Sequence, residues 1–110
     1  MDLRAIVVAA ATSVALGCSI NAVVTPIGSR LPAQPPDCPV SFFGSGPPHA
    51  PHQDVASIRV VCRDVVELRC KERLREEACA AGADAIYSIV TTTTGPGNYD
   101  LAATLAKISS

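Results

Sequence analysis

An amphipathic helix that runs directly into a strand, over residues 69–89, constrains the fold of this sequence more than any other feature. Its apolar members recur every three or four residues and form one stripe: Val66, Cys70, Leu74, Ala78 and Ala81. Asp64 and Glu67 have the spacing of a capping box, which predicts the helix start, and Glu67 can pair with Lys71 one turn later. Gly82 follows the stripe and is predicted to take the left-handed conformation that ends many helices.

After Gly82 the sequence pattern changes from helical to strand-like. Residues 85–94 are mostly apolar or β-branched, which favours a strand. The sequence Gly-Pro-Gly-Asn at 95–98 is a strong turn signal, and residues 99–108 again suit a strand. Residues 85–108 are therefore predicted to form a β-hairpin.

Two more strands are predicted before the helix, over residues 38–43 and 55–62. Ile58, Val60 and Cys62 would share one face of the second strand. A loop of turn-forming residues separates them at 44–53. The predicted order is β-β-α-β-β, which favours an α+β fold with one helix packed on a mainly antiparallel sheet.

The N-terminus has the features of an export signal. Arg4 precedes an apolar run, residues 5–16, that is too short to span a membrane. The run ends at Cys18 in Ala-Leu-Gly-Cys, which resembles the lipobox of bacterial lipoproteins, where the cysteine is acylated and becomes the mature N-terminus. An ordinary cleaved signal is the alternative. Ser19 after the cysteine resembles lipoproteins sorted to the outer membrane.

These features divide the chain into three parts. Residues 1–17 would be the signal peptide, residues 18–37 a lipidated N-terminus with a proline-rich tether, and residues 38–110 the folded domain. The expected location is the bacterial cell envelope, with the membrane contacted through the lipid anchor.

The chain has five cysteines, an odd number for an exported protein. If Cys18 carries lipid, Cys38, Cys62, Cys70 and Cys79 remain and can form two disulfides. Cys70 and Cys79 lie on opposite sides of one helix, about 13 Å apart along its axis, so they cannot join each other. We favour Cys62 with Cys70 and Cys38 with Cys79, because the first pair closes a short local loop; the reverse pairing stays open.

The run Gly82, Ala83, Asp84, Ala85, Ile86 resembles a signature of small bacterial envelope domains. These include the stress-sensor lipoprotein of the Rcs phosphorelay and the YbjQ-type domains, some of which are labelled heavy-metal-binding. The resemblance extends over residues 38–108 and implies the same α+β fold. It also implies a lipidated cysteine, a proline-rich tether and two disulfides, although here two of the cysteines lie in the helix.

No catalytic arrangement stands out in the sequence, so we expect neither an enzyme nor a bound cofactor. The formal charge of −1 and the scarcity of aromatic residues do not favour a nucleic-acid partner. We expect a membrane-anchored interaction or envelope-sensing domain with an unidentified envelope protein as its partner. The alternative is a periplasmic metal-binding protein that uses His49 and His52, whose spacing is shorter than that of zinc-finger pairs.

Overall fold

The computed structural model describes residues 19–44 and 46–108, so Cys18 and the predicted signal peptide lie outside the described residues. The described part contains one helix and five strands, in this order: β1 (Ser19–Pro26), β2 (Ser41–Phe42), β3 (His52–Arg63), α1 (Glu67–Ala80), β4 (Ala85–Gly95) and β5 (Asn98–Ile108). The strands form one sheet in the order β1-β3-β5-β4-β2, and only the short β2–β4 pair is parallel. The predicted α+β class, with one helix on a mainly antiparallel sheet, is confirmed.

The core lies between α1 and one face of the sheet. Cys70, Leu74 and Ala78 are fully buried on the helix, as the apolar stripe predicts. Opposite them lie inward-facing side chains of the three central strands: Ile58, Val60, Cys62, Ile86, Leu101, Ala103 and Leu105. The described helix is not long and apolar enough to cross a membrane.

The start of α1 differs from the predicted capping box. Val66 is the N-cap residue, it is 64% exposed rather than part of the buried stripe, and no side chain caps the helix. Asp64 instead has a φ of 56° in the turn before the helix, where its backbone N–H donates to the Asn98 side chain at 3.2 Å. This contact with the first residue of β5 holds the Asp64 backbone in the turn, two residues before the N-cap.

The end of α1 and its surface pairing follow the sequence pattern. Gly82 has a φ of 80°, in the left-handed region predicted for it. The Lys71 ammonium lies 3.6 Å from the Glu67 carboxylate, which confirms the pair one helical turn apart. The predicted hairpin is also confirmed, because β4 and β5 pair antiparallel across a turn at Pro96 and Gly97.

The prediction of a tether over residues 18–37 is wrong for the part that the structure describes. Residues 19–26 form β1, an edge strand paired antiparallel with β3 along its eight residues. Ile20, Ala22 and Val24 pack against the core. The following loop is also attached, because the Gln34 N–H donates to the Cys79 carbonyl at 2.8 Å. The folded unit therefore includes Ser19, well before the predicted boundary at residue 38.

The strands before the helix have other bounds than those predicted. The strand expected over 38–43 is reduced to the two residues of β2, because only these pair with β4. The strand expected over 55–62 extends from His52 to Arg63. Its longer course reflects pairing with β1 on one side and β5 on the other.

Two disulfides join the sheet and loop segments to the helix. Cys62 at the end of β3 is bonded to Cys70 in the second turn of α1, and Cys38 is bonded to Cys79 at the end of α1. This is the favoured pairing of the two that the sequence leaves open. Three of these cysteines are fully buried and Cys38 is 6% exposed.

Candidate functional site

The two histidines proposed as metal ligands lie in different environments. His49 is exposed in the loop before β3. His52 is not in that loop but is the first residue of β3. Its Nδ1 lies 3.1 Å from the Ala50 carbonyl oxygen, and its ring meets the ring of Tyr87 edge to face, with the centroids 5.7 Å apart.

His52 belongs to a small polar cluster on the face of the sheet that α1 does not cover. The Tyr87 hydroxyl donates a hydrogen bond of 2.7 Å to the Asp54 carboxylate, and this bond raises the pKa of Tyr87. His52 Nε2 lies 3.7 Å from the same carboxylate. Among residues 19–44 and 46–108, no three His, Cys, Asp or Glu side chains are grouped closely enough to hold a metal ion. The four described cysteines are in disulfides and offer no thiolate ligands.

A groove with a mainly apolar lining lies between α1 and the outer side of β4. Its volume is about 520 Å³. Its uncharged lining comes from three separate segments: Phe42, Gly44, Leu68, Leu74, Ile89 and Thr91. Phe42 is 46% exposed and Leu68 is 68% exposed, although large apolar side chains are favoured in the interior. The groove therefore presents apolar area to solvent.

Backbone hydrogen bonds hold the two strand segments that form the floor of the groove. The Phe43 N–H donates to the Ile86 carbonyl at 2.9 Å, and the Ile89 N–H donates to the Gly44 carbonyl at 3.0 Å. These bonds fix Phe42 beside β4. The Cys38–Cys79 disulfide attaches the segment before Phe42 to α1. The position of Phe42 is therefore fixed relative to both β4 and α1.

The outer edge of β4 is open next to the groove. β2 pairs with β4 only at Ala85 and Ile86. Within the described ranges, no strand pairs with that edge over residues 90–94, all of which are exposed. An open strand edge offers unpaired N–H and C=O groups to an incoming strand. Together, the edge and the groove can bind an extended peptide whose alternate side chains are apolar.

Charged side chains of α1 form one rim of the groove. Lys71, Glu72 and Arg75 line it. Arg75 is anchored, because its Nη1 donates to the Pro36 carbonyl at 2.8 Å. Lys71 is paired with Glu67. The rim carries both signs of charge, so it favours polar flanking residues in a ligand rather than a strongly charged one.

Sequence reasoning did not identify this groove. One signal was present: Leu68 is apolar but lies off the helical stripe that Cys70, Leu74 and Ala78 define. A second was the pair Phe42 and Phe43, the only phenylalanines in the chain. Both signals indicate exposed apolar side chains, but only the fold brings Phe42 and Leu68 to one cavity.

Comparison with known proteins gives a likeness of fold. No protein-family model matches the chain, and no curated protein is significantly similar to it in sequence. Among solved structures, the chain is similar to the Francisella virulence factor FvfA, seen in an orthorhombic crystal form, with a TM-score of 0.58 and 13% sequence identity. The match covers 81% of this chain and 98% of the other. At 13% sequence identity, the similarity shows a shared arrangement of helix and strands and nothing about function.

Proposed function

We propose that this protein is a bacterial lipoprotein, anchored in the cell envelope through acylated Cys18, whose domain binds another envelope protein without catalysing a reaction. The groove between α1 and β4 is the proposed binding surface. Its ligand is an extended segment that adds to the open edge of β4 and places apolar side chains against Phe42, Leu68 and Ile89. The domain thus acts as an interaction or envelope-sensing module.

The observation that carries this proposal is the combination of an apolar groove with an unpaired strand edge. Pairing of a peptide with the edge supplies backbone hydrogen bonds, and the groove selects its side chains. Each feature alone has a simpler explanation, since scattered exposed apolar residues are normal on protein surfaces. Here the two features meet at Thr91, which lines the groove and lies within the open edge at residues 90–94.

Three features support the location in the envelope. The sequence before Cys18 resembles a lipobox, and Ser19 favours the outer membrane. Disulfides persist mainly in oxidising compartments such as the bacterial periplasm. The resemblance of residues 82–86 to small envelope domains, including the Rcs stress-sensor lipoprotein, also favours the envelope. We infer that the partner is another protein of the same compartment.

The anchor is tested by changing Cys18 to Ser. We expect the wild-type protein to be recovered in the membrane fraction with acyl groups on Cys18, detected by mass spectrometry. The variant should lose these groups and keep its signal peptide. Wild-type protein that is soluble and carries no lipid would refute the lipoprotein proposal.

The binding surface is tested with a photo-crosslinking amino acid placed at single positions in living cells. Thr91 lines the groove, whereas its neighbour Val90 points from the opposite face of the same strand and is 60% exposed. We expect a discrete crosslinked envelope protein from position 91, reduced by Phe42→Ala, and none or far less from position 90. Equal crosslinking from both positions would show that the groove is not the binding surface.

A further inference from the structure

The first strand begins directly after the predicted lipid attachment site, which limits how the domain can sit on a membrane. Ser19 is the first residue of β1 and is paired with Arg63 of β3. Consecutive Cα atoms are about 3.8 Å apart, so acyl chains on Cys18 would hold this end of the sheet against the bilayer surface. A flexible tether between lipid and domain does not fit a strand that starts at residue 19.

The pairing register shows which other residues lie at that end. Cys62 is opposite Tyr99, so Arg63, the next residue of β3, is level with the turn that joins β4 and β5. The Val65 N–H donates to the Gly97 carbonyl at 3.1 Å, which places the start of α1 beside the same turn. We name this surface the Ser19 end, formed by Ser19, Arg63, Val66 and Gly97.

The Ser19 end also includes the first turn of α1, and it carries the two most exposed large apolar side chains of the described residues. Val66 is 64% exposed at the N-cap of α1, and Leu68 is 68% exposed in its first turn. Arg63 and Arg69 lie at the same end, and a guanidinium matches the geometry of a phosphate group, although Arg63 Nη1 here donates to the Cys62 carbonyl at 3.1 Å. Asp64 and Glu67 lie there too, so the contact rests on the lipid anchor and the apolar side chains rather than on net charge.

We propose that the Ser19 end is a membrane-docking surface, with Val66 and Leu68 in the headgroup region of the bilayer that holds the lipid anchor. That region is about 5–8 Å thick on each side of the membrane, which is enough to receive single side chains. This inference rests on the proposed acylation of Cys18. Because Leu68 also lines the groove, the proposed partner segment would bind close to the membrane surface.

The opposite end of the sheet provides a control. Ile27 follows β1, and its N–H donates to the Val55 carbonyl at 2.9 Å. An eight-residue strand is about 26 Å long, so Ile27 lies far from the lipid although it is 56% exposed. Val90 is a second control. It lies on the sheet face that α1 does not cover, and it would approach the bilayer only if that face lay flat on the membrane.

The chain has no tryptophan, so single tryptophans can report the distance to the bilayer. The experiment uses the mature lipoprotein in phosphatidylcholine vesicles with brominated acyl chains, which quench tryptophan fluorescence at short range. Four variants are compared: Val66→Trp, Leu68→Trp, Ile27→Trp and Val90→Trp. We expect quenching at positions 66 and 68 to be several-fold greater than at 27 and 90.

Each outcome has a defined meaning because acylation is checked by mass spectrometry on the same samples. Acylated protein with equal quenching at all four positions, or with the strongest quenching at 27 or 90, would overturn the docking surface and leave the lipoprotein proposal standing. Protein without acyl groups would overturn both proposals. Unchanged thermal melts of the four variants would show that the substitutions preserve the fold.

Discussion

Gly82 combines a left-handed backbone with a close neighbour, and both effects oppose any side chain. A Cβ at this position would lie 2.6 Å from the Leu31 Cβ and 2.7 Å from the Pro32 carbonyl oxygen. We expect Gly82→Ala to lower the free energy of unfolding by about 2–5 kcal/mol, the sum of a left-handed alanine and an overpacked contact. Urea unfolding measures the change.

Two other glycines separate these effects. Gly44 has a φ of 67° but would place its Cβ in open space, and Gly46 combines open space with an ordinary φ. Gly44→Ala should therefore cost about 1–2 kcal/mol from the backbone alone, and Gly46→Ala should cost little. If Gly82→Ala were no worse than Gly44→Ala, the collision with the loop at Leu31 would be disproved.

The ion pair between Arg59 and Asp100 makes stability depend on pH. The guanidinium donates two hydrogen bonds to the carboxylate, one of them 2.9 Å from Nε to Oδ1, and they lower the pKa of Asp100. A lowered pKa in the folded state stabilises the protein above the unfolded carboxyl pKa of about 3.9. This contribution is lost as the pH falls through the lower, folded pKa.

We expect Asp100→Asn to be less stable than the wild type near neutral pH, with the difference shrinking as the solution is acidified below about pH 4. Urea unfolding at a series of pH values measures the gap. Asp37→Asn is the control, because Asp37 is exposed and forms no ion pair with any described residue. A gap that stays constant across the pH range would exclude the pair as its source.

At the scale of elements, the two disulfides close loops of different length. Cys62 and Cys70 are 8 residues apart, whereas Cys38 and Cys79 are 41 residues apart. Loop-closure entropy assigns about 2.5 kcal/mol to the first disulfide and about 4 kcal/mol to the second. Replacing Cys38 and Cys79 by Ala should therefore destabilise the protein by about 1.5 kcal/mol more than replacing Cys62 and Cys70.

Denaturant unfolding of the two double variants, with the remaining disulfide verified by mass spectrometry, measures the difference. Both pairs are almost completely buried, so the packing lost on truncation to alanine is similar and largely cancels. A larger loss from the Cys62–Cys70 variant would show that local constraint at the start of α1 outweighs loop length.

Local sequence patterns were sufficient to predict some of the helices and strands but not others. The helical stripe, the helix end at Gly82 and the hairpin turn at residues 95–98 are local signals, and all three were predicted, although Val66 at the start of the stripe is exposed. β1 was missed because its inward side chains are Ile20, Ala22 and Val24, a weak pattern beside a proline-rich segment. Its strand conformation depends on pairing with β3, some 30 to 44 residues later in sequence, which no local pattern encodes.

The groove was missed for a related reason. Phe42, Leu68 and Ile89 belong to β2, α1 and β4, and the local signals at Phe42 and Leu68 do not show that the three side chains meet. Their proximity follows from the short parallel β2–β4 contact and from the placement of α1 over the sheet. Likewise, the Asp64 capping prediction failed because Asp64 lies two residues before the N-cap residue Val66, in a turn whose backbone is held by Asn98, 34 residues away.

For the whole molecule, the extent of the folded unit is testable by truncation. A chain that starts at Cys38 matches the predicted domain, but it lacks β1 and most of the loop after β1, which is hydrogen-bonded to the end of α1 through Gln34. It leaves the outer edge of the long strand β3 unpaired, and it uncovers Ile58 and Val60 where β1 packs. We expect it to lose about 5 kcal/mol or more, comparable to the whole stability of a small domain, and to aggregate through the open edge.

A chain that starts at Ser19 should melt cooperatively under the same conditions. Circular dichroism melts and size-exclusion chromatography compare the two, after mass spectrometry has verified both disulfides in each. If the two chains melted within a few degrees of each other as monomers, β1 would be dispensable and the domain would begin near residue 38.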